Sequence, residues 1–374
     1  MYRQKKSMTL KSGEEQDVVF YISAPEVEFM KQIEDVVIVG GGPAGAYCAL
    51  ELARKGVYPL VFDHSHPREK PCGGGISPPL IHKFPFVEKF RSSGFTFGEF
   101  KIISCTDIQV LTKSLENGFS ISRRYFDEGI LSMAIKKGAR LIKEKVLDVQ
   151  QKGNLWNIRT KERLLSTKIL VGADGVNSVV RRAIIGPISK ENLALTFGYI
   201  ATSVEKEKAA IKFLGHIPGY IWVFPGNNYS NIGIGSELKY GCKLKSLLDA
   251  FISHYCPNIS VISRYAAMLP SARNPDFFRC IPCAGDNWIL IGDAAGHVDP
   301  ISGGGILYAL WGGKLAAEAI KENEPKSYDS AWRKEFGKNL EESCKNKDAF
   351  YDPLKSTMSL FIGLANKIYS WPTT

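Results

Sequence analysis

The pattern of apolar and polar positions changes character several times along this chain. From Asp35, four apolar residues run without interruption, Val36-Val37-Ile38-Val39, and glycines follow at once. Such a run fits a strand buried on both faces, as in a parallel sheet. Residues 44–55 space their apolar positions for a helix, and Gly56 stands where a helix stops. Pro59-Leu60-Val61-Phe62-Asp63 supplies a second buried strand and completes a βαβ unit. The same alternation predicts helices over 127–137, 176–184 and 303–322, and strands over 139–150, 168–173 and 288–292.

Between 190 and 270 the period falls to two, as in Thr196-Phe197-Gly198-Tyr199-Ile200 and Tyr220-Ile221-Trp222-Val223-Phe224, which predicts antiparallel strands. The expected fold class is α/β (α+β). A Rossmann-like dinucleotide-binding domain over 35–76, 119–186 and 276–323 interleaves with an antiparallel-sheet substrate domain over 77–118 and 187–275. Residues 324–374 form a short C-terminal helical region, with Leu354, Met358, Phe361, Ala365 and Ile368 on one face. Residues 1–34 form an N-terminal extension, polar except around Val18–Ile22, and leave open an added strand or a tail.

With 374 residues the chain can bury a large core and a cofactor within it. Its formal net charge of +10 favours acidic partners, anionic headgroups or nucleic acid. The cations are scattered and no nucleic-acid recognition motif occurs, so nucleic acid is set aside. Eight cysteines lack the dense spacing of a disulfide scaffold, and the lone close pair, Cys280 and Cys283, cannot complete a four-ligand zinc site. Reduced thiols, a cytoplasmic location and no metal are expected. No apolar segment follows the basic start, and no run of about 18 apolar residues is present. Any membrane contact is therefore expected to be peripheral.

Three motifs carry chemistry. The first is Gly40-Gly41-Gly42-Pro43-Ala44-Gly45, between strand and helix, with Asp63 ending the next strand. Gly40 suits the tight turn, Gly42 the approach of a pyrophosphate and Gly45 the packing of helix on strand, while the helix start near Ala44 faces the phosphates. Asp63 can accept from a ribose hydroxyl. The second is Gly172-Ala173-Asp174-Gly175-Val176-Asn177-Ser178, followed by Arg181; taken alone, Asp174 there reads as only a helix-cap arrangement. The third is Ile291-Gly292-Asp293-Ala294-Ala295-Gly296-His297, with Gly303-Gly304-Gly305-Ile306 opening another helix. Asp293 beside that helix start, with Gly305 and Ile306, suits a ribityl or pyrophosphate group.

In this order the three motifs resemble the flavoproteins that include aromatic-ring hydroxylases, flavin halogenases and geranylgeranyl reductases, and the resemblance covers about 35–325. It implies FAD as cofactor, with Arg123 reaching the flavin phosphates or ribityl and Val146, in the strand after Gly138-Ala139, touching the adenine. Two further segments narrow it. Lys70-Pro71-Cys72-Gly73-Gly74-Gly75 and Tyr220-Ile221-Trp222-Val223-Phe224-Pro225 look like the Pro-Cys-Gly-Gly and Tyr-x-Trp-x-Phe-Pro motifs of geranylgeranyl reductases, which saturate prenyl chains. Cys72, Gly73 and Gly75 are then expected at the flavin, with Cys72 as the catalytic candidate.

Physically, Tyr220, Trp222 and Phe224 at period two present three rings on one face, a wall suited to an apolar polyene. Tyr220 and Trp222 are the substrate candidates. The bland alternative is sheet core. A second nucleotide fold is missing, so the expected electron donor is external, a ferredoxin-like protein or NADPH. Two other readings stay open: a flavin monooxygenase of an aromatic or apolar substrate, and a non-enzymatic prenyl-binding protein. The chain departs from the family in its N-terminal extension, in Asp63 where Glu is common and in a short C-terminal part.

Overall fold

A computed structural model describes residues 2–9, 15–22, 33–202 and 208–352. The chain separates into two units, Met1–Gln32 and Ile33–Thr374. Within the first, Tyr2–Thr9 and Glu15–Ile22 pair antiparallel, Tyr2 opposite Ile22. The apolar stretch around Val18–Ile22 is thus one arm of a local hairpin.

The second unit holds two sheets. The first has the strand order Ala284–Gly285, Trp288–Leu290, Leu164–Gly172, Ile33–Val39, Leu60–Phe62, Arg140–Ile142. Ile33–Val39 runs parallel to both of its neighbours, with Ile38 between Val171 and Val61. That central place explains the unbroken apolar run: Val37 and Ile38 are fully buried because helices or loops cover both faces. Helix Pro43–Arg54 packs against helix Ile306–Lys321 so closely that a Cβ on Gly313 would lie 2.6 Å from the carbonyl oxygen of Ala44.

The second sheet has eight strands in the order Val261–Pro270, Leu193–Ala201, Ser230–Glu237, Gly219–Pro225, Lys208–Phe213, Phe95–Ile103, Gln109–Ser120, Gly75–Ile76. Helix Gly241–Tyr255 covers one face, burying Ile221, Val223, Ile232 and Ile234 with Leu244, Leu248 and Phe251. The residues between them in sequence, Tyr220, Trp222 and Phe224, necessarily point to the opposite face.

Three expectations need correction. The helix expected over 127–137 begins earlier, at Arg123, where Glu69 accepts from the Arg123 N–H at 2.9 Å. The expected strand 139–150 is broken into Arg140–Ile142 and Asp148–Lys152. Its first piece closes the parallel sheet beside Leu60–Phe62, while its second joins an antiparallel ribbon with Leu155–Arg159. Val146 therefore lies in the bend between two strands. Past Asn323 the chain is helical over Ser327–Trp332 and Lys338–Tyr351, and the proposed face from Leu354 to Ile368 lies outside the described residues. No described helix is long and apolar enough to cross a membrane.

Candidate active site: a dinucleotide cradle joined to an aromatic arm

One cavity of about 1830 Å³ opens between the two sheets, and every sequence-expected site residue except Gly45 lines it. Gly45 serves the cradle from behind: a Cβ there would lie 1.9 Å from the Gly40 carbonyl oxygen, so only glycine lets the helix sit on the strand. Gly40 has φ +104°, and a Cβ would meet the Ala173 carbonyl oxygen at 2.3 Å. At Gly42 a Cβ would meet nothing within 4 Å, which leaves the backbone bare toward the cavity. No side chain caps helix Pro43–Arg54, so its first-turn N–H groups remain for an anionic ligand.

Asp63 fixes this turn. Its Oδ2 accepts from the Gly41 N–H at 2.7 Å and its Oδ1 from the Ser65 N–H at 2.7 Å and hydroxyl at 2.6 Å. Burial opposes its charge, but these donors and nearby His66 outweigh it and hold the carboxyl below the usual Asp range. Opposite, Asp174 accepts from Ser178 Oγ at 2.5 Å and Val179 N at 2.7 Å, and Ser178 itself caps helix Val179–Ile185 by accepting from the Arg181 N–H at 2.8 Å. Burial raises the Asp174 pKa against the bonds it accepts. Arg181 links the second motif to the third, donating to the Ala294 carbonyl at 3.1 Å.

In the third motif, Asp293 pairs with Lys70 at 3.1 Å, joining two segments 223 residues apart across the cavity. Gly305 lies beside this carboxylate on the cavity wall, where a Cβ would stand 3.4 Å from Asp293 Oδ1. No side chain caps helix Ile306–Lys321 either. Arg123 is buried, and its guanidinium meets Asp127 through two bonds of 2.8 and 2.9 Å. Burial disfavours its charge, yet Asp127 and Cys72 more than compensate and raise its pKa. The Cys72 sulfur accepts from the Gly74 N–H at 3.5 Å.

The rest of the cavity is an aromatic arm. Tyr220, Trp222 and Phe224 form one wall, Phe213, Phe100 and Phe97 extend it across the neighbouring strands of the same sheet, and Phe350 reaches in from helix Lys338–Tyr351. Phe97 stacks on Phe224 at 6.3 Å and Phe213 meets Phe350 edge-on at 5.3 Å. The Tyr220 hydroxyl donates to the Ser302 carbonyl, and burial pushes its pKa far up. Gly73 and Gly75 admit the Phe224 ring: a Cβ on Gly73 would lie 2.7 Å from it. His297, by contrast, is fully buried behind the third motif against Trp332 at 4.3 Å, and burial with Arg333 and Arg181 lowers its pKa to about 3. It is neutral packing, not a proton donor.

Sequence reading gave no role to Lys70 or Asn231, and missed Phe97, Phe100, Phe213 and Phe350. Phe97 and Phe100 carried a signal, but a register shift between Phe97 and Glu99 spoils the alternation that would have revealed their strand.

A profile for an NAD(P)-binding Rossmann-like domain matches residues 38–74. The chain is 30% identical to a geranylgeranyl diphosphate reductase of Rhodobacter capsulatus, over 85% of this chain and 84% of that one. The chain belongs to the geranylgeranyl reductase family. It is also 29% identical to a digeranylgeranylglycerophospholipid reductase of Methanospirillum hungatei, over 86% of each chain. The crystal structure of a geranylgeranyl bacteriochlorophyll reductase-like protein of Thermoplasma acidophilum superposes with a TM-score of 0.77 at 23% identity, covering 90% of this chain and 97% of that one. Such a likeness speaks for the fold, and membership of this reductase family makes the chain an oxidoreductase.

Proposed function

We propose that this protein is an FAD-dependent reductase that saturates carbon–carbon double bonds of geranylgeranyl-type chains in isoprenoid lipids. The observation that carries the reading is the single cavity, which joins a dinucleotide cradle to an apolar aromatic arm. At about 1830 Å³ it exceeds the usual range of roughly 300–1,000 Å³ for one small ligand and has room for a cofactor beside a chain.

Gly40, Gly42, Ala44, Asp63, Val146, Asp174, Asp293, Gly305 and Ile306 would hold the dinucleotide, with Gly45 shaping the turn, Arg123 at its phosphates or ribityl, and Cys72, Gly73 and Gly75 facing its reactive end. The bare Gly42 backbone and two uncapped helix starts fit a pyrophosphate. When bound, FAD supplies the hydride that an isolated alkene must receive. The chain's own residues do the rest. Tyr220, Trp222 and Phe224 align the polyene and exclude water, and their π faces stabilise positive character on the more substituted carbon by about 0.5–2 kcal/mol each. Tyr220 is a poor acid, since its proton is committed to Ser302 and burial raises its pKa. The Cys72 thiol, on the cavity wall, is assigned the proton delivered to the second carbon.

Electrons would come from an external donor, a ferredoxin-like protein or NADPH, and the basic surface would favour an acidic one or an anionic bilayer reached peripherally. The test is to reduce the purified flavoprotein with dithionite, add prenyl lipids and weigh the products. A mass gain of two hydrogens per bond is expected; unchanged lipid from fully reduced flavoprotein would overturn the reading, and a product heavier by one oxygen on admitting air would point to a monooxygenase instead.

A further inference from the structure

Asn231 is buried at 6% exposure behind the cavity wall, yet three groups that shape that wall converge on its side chain. Trp222 Nε1 donates to Asn231 Oδ1 at 2.9 Å, and the Tyr265 hydroxyl donates to the same oxygen at 2.6 Å. Asn231 Nδ2 in turn donates to the Cys72 carbonyl at 2.8 Å, across 159 residues of sequence.

The register of the second sheet explains this meeting. One row places Tyr265, Gly198, Gly233 and Trp222 side by side on four strands. A Cβ on Gly198 would lie 2.4 Å from the Tyr265 ring, and one on Gly233 would lie 2.2 Å from the Trp222 indole. The two glycines therefore leave a trough into which both rings fold from opposite sides. Asn231 stands two residues from Gly233, on the same face of the same strand, where both polar ring atoms end. Only an amide answers all three partners: its oxygen takes two donors and its nitrogen supplies a hydrogen to a carbonyl.

We infer that Asn231 is a positioning residue for the reduction, locking the Cys72 peptide and the Trp222 ring into one rigid unit. The loop at the reactive end of the cofactor and the wall along the chain then keep a fixed separation. This rests on the proposed function. Loss of the lock misplaces chain and cofactor relative to each other while leaving both binding surfaces present, so it acts on turnover more than on affinity for the chain.

The test uses Asn231→Asp, which is isosteric, keeps the acceptor oxygen and removes the hydrogen given to Cys72. The holoprotein variant is expected to lose about tenfold in kcat on a long prenyl lipid with little change in KM. Apoprotein titrated with FAD should bind about threefold more weakly, and the visible absorption band of the bound flavin should shift. If Asn231→Asp does not fold, Asn231→Ser carries the same measurements, since its shorter side chain gives up the hydrogen bonded to the Cys72 carbonyl without adding a charge. In whichever variant folds, a bound-flavin spectrum identical to that of the wild type overturns the inference, whatever the melting temperature. If the wild type reduces no prenyl chain, the proposed reaction fails, but FAD titration and the spectrum still decide Asn231.

Discussion

At the scale of single residues, the sequence was most readable where backbone geometry permits one answer. Gly40 and Gly45 are such positions, since a Cβ at either would collide with backbone carbonyl oxygens. Residues whose partners are distant in sequence were unreadable: Lys70 meets Asp293 and Asn231 meets Cys72 only through the tertiary fold. Asp174 was readable in its ambiguity: in the structure it orients the Ser178 cap and accepts from the first-turn Val179 N–H while still lining the cavity. The Lys70 pair gives Asp293 a measurable role. Asp293→Ala removes a cavity carboxylate that is paired but not deeply buried, so the fold should survive. FAD affinity should fall about tenfold, equivalent to about 1.4 kcal/mol. Titration of apoprotein with FAD measures it, and unchanged affinity would remove the third motif from the cofactor site. Cys72→Ser changes volume little but replaces a thiol with a far weaker acid. Turnover should fall by about tenfold or more with FAD still bound; an unchanged rate would reduce Cys72 to packing.

Elements divide along the same line. The strand Ile33–Val39 and helix Pro43–Arg54 declared themselves because both faces of the strand are buried and glycines punctuate its end. The break at residues 143–147 was hidden, because nothing in an apolar pattern records that a chain leaves the parallel edge of a sheet to pair in an antiparallel ribbon elsewhere on it. The strand Phe95–Ile103 was hidden by its bulge, and helix Gly241–Tyr255 by the strands that surround it. The strand Gly219–Pro225 was legible in full: its odd residues sit on the helix side and its even aromatics on the cavity side. Trp222→Ala tests that division of labour. The cost in stability should be about 3–5 kcal/mol, because the indole fills the trough over Gly233 and leaves a void. Turnover on a long prenyl lipid should drop more than on a short one, with FAD retained, since Trp222 lies outside the three dinucleotide motifs. Equal losses on both lipids in a folded variant would argue that the ring is core alone.

Across the whole molecule, the C-terminal helices close the structure over the third motif, and His297 lies at that seam. It is fully buried between Trp332 and Phe336, with Cys283 Sγ 3.6 Å from its Nε2. Burial first, then Arg333 and Arg181, lower its pKa to about 3, so it is neutral in the folded protein across the ordinary pH range. In the unfolded chain the same ring titrates near 6.5. Between these values the unfolded state binds a proton that the folded state refuses, so stability is full above about pH 6.5 and falls as the pH drops toward 3. By pH 5 this one residue should cost about 2 kcal/mol, from roughly 1.5 pH units at 1.36 kcal/mol each. His297→Gln removes the titration while keeping a polar group beside Cys283. Denaturant melts at pH 7.5 and pH 5 should therefore show a smaller acid loss in the variant than in the wild type, even if the variant is less stable at both. An equal loss in the two proteins would mean that His297 is already protonated in the fold, and the seam would have to hold a charge that its surroundings do not neutralise.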